Sequence, residues 1–186
     1  MEIVASMIRG GVGFAIVSTA AFAVWALGAG WFAHLGGELG MYAGCCVVFV
    51  LLSGVILRPM LRWPGTPQRF YGFFLTAFLA YAIMWCVGWF WLGMGLGEWL
   101  GALAGCTAFT TVMAATLGGW RVLVPAALVM FALHSAGYFA GAHVCYASLH
   151  SVGSELAWGT LYGLGFGAGI GFAFAMMQPS WNSPRS

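Results

Sequence analysis

Residues 69–101 read R-FYGFFLTAFLAYAIMWCVGWFWL-GMGLGE-WLG: one Arg, an unbroken apolar run, a glycine-rich turn, then a Glu that opens the next apolar run. A helix rises about 1.5 Å per residue, so residues 70–92 reach about 34 Å, enough for a hydrocarbon core about 30 Å thick. A barrel strand crosses in about 9–11 residues and alternates in polarity, which this stretch does not. The stretch predicts a membrane-spanning helix, a tight turn and a second span, and the rest of the chain is read outward from it.

Five further apolar runs have the same character, giving predicted spans at 10–33, 39–57, 70–92, 99–118, 122–142 and 156–177. The first run is longer than the 7–15 or so apolar residues of a signal peptide and is read as a retained span. Charged residues are 5% of the chain against about 25% in average soluble proteins, so this inventory cannot cover a water-facing surface. The fold class expected is an all-α integral membrane protein of six transmembrane helices in a single membrane domain over 1–186, with a short polar tail at 178–186.

The few charges are placed with order. Arg9 precedes the first span, Arg58, Arg62 and Arg69 lie between the second and third, Arg121 between the fourth and fifth, and Arg185 after the sixth. With six crossings all of these fall on one side, whereas Glu38, Glu98 and Glu155 fall on the other. By the positive-inside rule both termini are cytoplasmic, in a plasma or bacterial inner membrane.

The second hairpin has counterparts. Gly88-Trp89-Phe90 followed by Gly97-Glu98 is matched by Gly30-Trp31-Phe32 with Gly37-Glu38, and more loosely by Gly137-Tyr138-Phe139 with Glu155. Leu100-Gly101-x-x-Ala104-Gly105-Cys106 repeats Leu39-Gly40-x-x-Ala43-Gly44-Cys45. Three degenerate αα-hairpin repeats are expected, at about 9–57, 69–118 and 121–177, in a ring or a linear array. The even spans carry glycines four apart, most fully at Gly159, Gly163, Gly167 and Gly171. Such a stripe is a smooth helix face for packing inside the chain, for oligomer formation, or for lining a pore.

Candidate chemistry is confined to a few side chains. His134 lies about 20 Å beyond Arg121 along its helix, well inside the core, where an ionisable residue marks a functional site by default. Its repeat counterparts are Tyr81 and Trp25, and the three are expected to approach one axis. The alternatives for His134 are a hydrogen bond to its own helix, a polar contact for a permeant, a proton relay, or a pigment ligand. A second group, Glu38, Glu98, Glu155, His34, His143 and His150, maps to the non-cytoplasmic side as a candidate outer vestibule. Each Glu there also fits the first turn of an even helix, where a carboxylate complements the dipole. His34, Glu38 and His143 are the candidates for a divalent metal, without any recognised ligand spacing. Apart from that metal and the pigment at His134, no cofactor is expected.

The absences exclude whole classes. The chain has no Lys, hence no Schiff-base site and no phosphate-loop lysine, and it carries no nucleotide site and no nucleic-acid module. The expected function is a multi-pass channel or facilitator for a small, mostly neutral solute or ion. The first alternative is a small hydrophobic subunit of a larger membrane assembly, pigment-binding, redox or energy-coupling. The second is a membrane enzyme with an outer His/Glu site. The lipid bilayer is the one certain partner class, with a homo-oligomer or a larger complex expected beyond it.

Overall fold

The computed structural model describes residues 3–32, 34–61 and 66–178. Six long helices account for most of them: α1 (Ile3–Phe32), α2 (Gly37–Ile56), α3 (Pro67–Leu92), α4 (Leu96–Leu117), α5 (Leu123–Ala147) and α6 (Val152–Met177). Short 3-10 turns at Arg58–Met60 and Trp120–Val122 lead into α3 and α5. All six long helices are apolar and long enough to cross a membrane. The chain is a multi-pass membrane protein whose lipid-facing side chains, such as Leu39, Trp91 and Val124, stay exposed on the bundle surface.

Helix ends differ from the expected spans for local reasons. Backbone hydrogen bonds have no competing water inside lipid, so helices run on past the last apolar residue. Thus α1 starts at Ile3 and encloses Arg9, and α5 continues to Ala147 and encloses His143. Termination falls where glycine allows positive φ: Gly118 closes α4 at φ 79°, and Gly93 and Gly95 make the α3–α4 turn at 74° and 79°. The α5–α6 turn has no such glycine. Leu149 and His150 adopt φ 52° and 55° there.

Each helix packs on its neighbours in chain order, and α6 returns to α1, so the six close into a ring. The seams are unequal. Glycine is the reason at the tightest one, α1 against α6. Gly159, Gly163, Gly167 and Gly171 all lie against α1: a Cβ added at Gly163 would sit 2.6 Å from Ala15 Cα, and one at Gly159 would sit 2.7 Å from Phe22 Cβ. The Ser6 hydroxyl donates to Gly171 O at 2.7 Å, and the Thr19 and Thr160 hydroxyls pair at 2.8 Å. Of the expected uses of this stripe, packing within the chain matches these contacts. Gly165 and Gly169 occupy another face of α6 and admit α5 at Gly137, Leu133 and Met130. The α2–α3 seam is thin, held by Tyr71 Oη donating to Leu51 O at 3.2 Å and by the Phe49 and Phe78 rings 4.9 Å apart.

The ring has no hollow centre at the level of its phenylalanines. Phe14, Phe74, Phe109 and Phe166, from α1, α3, α4 and α6, are fully buried. They form a closed cycle with ring centroids 6.5, 5.9, 5.4 and 5.5 Å apart. Such mostly tilted and edge-on aromatic contacts contribute about 0.5–1.5 kcal/mol each beyond their burial.

Candidate functional site: a buried histidine between two tyrosines

Next to the phenylalanine cycle sits a buried imidazole. His134 of α5 is fully buried, and its Nε2 is 2.6 Å from Tyr81 Oη of α3. Tyr162 of α6 donates its hydroxyl hydrogen to Tyr81 Oη at 3.2 Å. Tyr81 Oη accepts from Tyr162 and keeps a second lone pair, so the Tyr81–Nε2 bond is compatible with either tautomer of His134. The environment is otherwise aromatic: Phe166 and Tyr162 stand edge-on to the imidazole at 5.3 Å each, and Tyr138 lies parallel to it at 6.0 Å.

Two of the three expected axial residues therefore meet, and the third does not. Trp25 stands edge-on to Phe22 at 5.8 Å and to Trp158 at 6.0 Å, away from the histidine. Tyr162 occupies the third place instead. The reason lies in the packing of α6: its glycine faces carry it between α1 and α5 and bring Tyr162 inward, leaving Trp25 at the rim of the core. Tyr162 lies on an even helix and has no counterpart in the odd-helix register of Trp25, Tyr81 and His134; its signal in the sequence is a phenolic hydroxyl within a membrane span, four residues from Trp158.

The outer carboxylates and histidines are dispersed. Glu38, Glu98 and Glu155 sit in the first turns of α2, α4 and α6. Glu98 does more than complement a dipole: Oε2 accepts from Gly95 N at 2.9 Å, and Oε1 accepts from Tyr138 Oη at 3.1 Å. His34 and His143 are exposed, and His150 turns back so that Nδ1 lies 3.5 Å from Cys145 Sγ. Among the described residues no three His, Cys, Asp or Glu side chains come together as a metal site, so His34, Glu38 and His143 are not assembled as one. Helix order does place Arg9, Arg58, Arg69 and Arg121 at one end of the bundle and the three Glu at the other. Arg62, Trp63 and Arg185 lie outside the described residues.

Trp31, Trp91, Trp99 and Trp120 are exposed near helix ends, as an interfacial belt requires. Trp85 and Trp158 behave differently: each buries its indole nitrogen in the bundle. Comparison of the chain with protein-family models, with curated proteins and with solved structures finds no match.

Proposed function

We propose that the protein is a facilitator or channel for a small, mostly neutral solute or ion, with its path along the centre of the helix ring past His134. The observation that carries this reading is the hydrogen-bonded Tyr162–Tyr81–His134 set, contributed by three different helices and fully enclosed between them. A polar group held at that depth has a cost that packing alone does not require, and such groups mark pathways in membrane bundles. The phenylalanine cycle beside it is the closed gate of that path.

The finer architecture belongs to the same reading. The three hairpins are degenerate repeats arranged as a ring. In its favour, Gly101 and Gly105 face their own hairpin partner at Trp85 and Tyr81, as Gly44 faces Val24 and Phe32. The grouping of Arg at one bundle end supports cytoplasmic termini in a plasma or bacterial inner membrane.

Purified protein in liposomes should raise permeability to at least one solute in a panel of urea, glycerol, ammonia and monovalent ions. His134→Asn should lower that flux severalfold. A flat response across the panel, or an unchanged flux in the variant, argues against the path.

A second reading, a subunit of a larger assembly, is favoured by the outer half of α3. There Ala82, Ile83, Cys86, Val87, Phe90 and Trp91 line an open apolar crevice, and α2 covers little of it. Mild solubilisation that retains a partner chain would support it, and a clean homo-oligomer would not. For the enzyme alternative, no three His, Cys, Asp or Glu side chains come together among the described residues, so no specific observation favours it.

A further inference from the structure

The histidine layer has a second polar layer stacked on it, toward Glu98. The same three helices build both. Tyr138 follows His134 by four residues, Trp85 follows Tyr81 by four, and Trp158 precedes Tyr162 by four, so each lies one helical turn nearer the Glu98 end. The Tyr138 ring is the hub: Trp85 packs on it at 5.9 Å, Trp158 at 5.5 Å and His134 at 6.0 Å.

Tyr162 donates to Tyr81, Tyr81 Oη and His134 Nε2 share a hydrogen bond, and Tyr138 donates to Glu98 Oε1. Between these segments, His134 Nδ1, Trp85 Nε1 and Trp158 Nε1 are buried without a hydrogen-bond partner. Buried polar groups in folded proteins are paired, with protein or with internal water. The two indole nitrogens are donors, so a cation is disfavoured. Among the described residues every Arg lies toward the opposite end of the bundle, and Glu98 is the charge that borders this layer, so an anion is disfavoured as well. What fits is a neutral species that accepts from N–H on one side and donates on the other. The Tyr138 oxygen, with lone pairs to spare, is the acceptor for that donated hydrogen.

We propose that the Tyr138–Trp85–Trp158 layer binds internal water, which joins His134 to Glu98 in one hydrogen-bond chain. In this proposal His134 carries its hydrogen on Nδ1, and the chain runs Tyr162, Tyr81, His134, water, Tyr138, Glu98, with every donor aimed toward the carboxylate end. On the other side the fully buried phenylalanine cycle offers no polar atom to continue it. The bundle is thus a half-channel for protons and water, open to the Glu98 end and sealed at its middle. The inference rests on the ring centre being the path proposed above, and it names what occupies the outer half of that path.

Solid-state NMR of the full chain in phosphatidylcholine–phosphatidylglycerol liposomes, labelled with 15N at Trp and His, tests it. Trp85→Phe and Trp158→Phe identify the two indole signals by their loss. The expected result is rapid magnetisation transfer from water to both indole N–H groups and to His134 Nδ1–H. Tyr138→Phe should slow deuterium exchange at His134 Nδ1–H by about tenfold while leaving the interfacial Trp120 indole unchanged. Each exchange event swaps one proton for one deuteron and moves no net charge. If Tyr138→Phe fails to reconstitute, Glu98→Ala carries the same expectation. Signals that receive no magnetisation from water, or exchange that ignores both variants, overturn the proposal. A hydrated layer in a protein that passes no solute would defeat the transport reading and leave the water chain standing; a dry layer with solute flux would do the reverse.

Discussion

At the scale of single residues, the buried polar atoms are chemically interdependent. Removing the Tyr81 hydroxyl strands two groups at once, His134 Nε2 and the Tyr162 hydroxyl, inside the bundle. Tyr81→Phe should therefore destabilise the protein by about 1–3 kcal/mol, and Tyr162→Phe, which removes a donor from the end of the chain, by about 0.5–1.5 kcal/mol. Reversible unfolding in detergent micelles measures both, and the opposite ranking would contradict the assigned bond directions. His134 and Tyr81 were legible in the sequence because a polar tip inside an apolar run is conspicuous when helices are aligned by their charges. Tyr162, Trp85 and Trp158 were not. Their burial depends on which way α6 and α3 rotate, and that rotation is set by glycine contacts between helices far apart in sequence.

Among the elements, α6 decides the assembly. Its two glycine faces accept α1 and α5, so a side chain added on either face pushes backbones apart. Gly163→Val should cost about 1–3 kcal/mol or more through overpacking against Ala15 and Phe14. Gly72→Ala, on an exposed face of α3 with nothing within 4 Å, should be neutral or slightly stabilising. The same unfolding measurement separates them, and equal effects would show that the α1–α6 contact is not close. The third hairpin turn offers a complementary test. Leu149 is exposed at φ 52°, where a non-glycine residue is strained by about 1–2 kcal/mol. Leu149→Gly should leave stability unchanged or raise it by up to about 1 kcal/mol, and a clear loss of stability would mean the Leu side chain is needed. Glycine stripes were visible in the sequence, but the helix each one faces was not. Gly101 and Gly105 face the hairpin partner α3, whereas Gly159 and Gly163 face α1, although both stripes have the same four-residue spacing.

For the molecule as a whole, six crossings and the grouping of Arg at one bundle end lead to one orientation. Reporter fusions at residue 1 and residue 186 should both read cytoplasmic, and a reporter between Gly93 and Leu96 should read as external; a split between the termini would contradict the six-span count. The count was readable from the 69–101 stretch because its Arg, apolar run, turn and Glu recur. Closure of the ring and the aromatic seal were not readable, since they arise from contacts between helices that no periodicity reports. In the proposed function a solute path follows the ring centre and is shut by the cycle of Phe14, Phe74, Phe109 and Phe166. Liposome permeability of Phe109→Ala against wild type at equal protein density tests this. Flux should rise by about an order of magnitude, because truncating a fully buried ring opens a hole on the path and leaves the helix frame in place. A folded Phe109→Ala protein with unchanged permeability to every solute tested would contradict it.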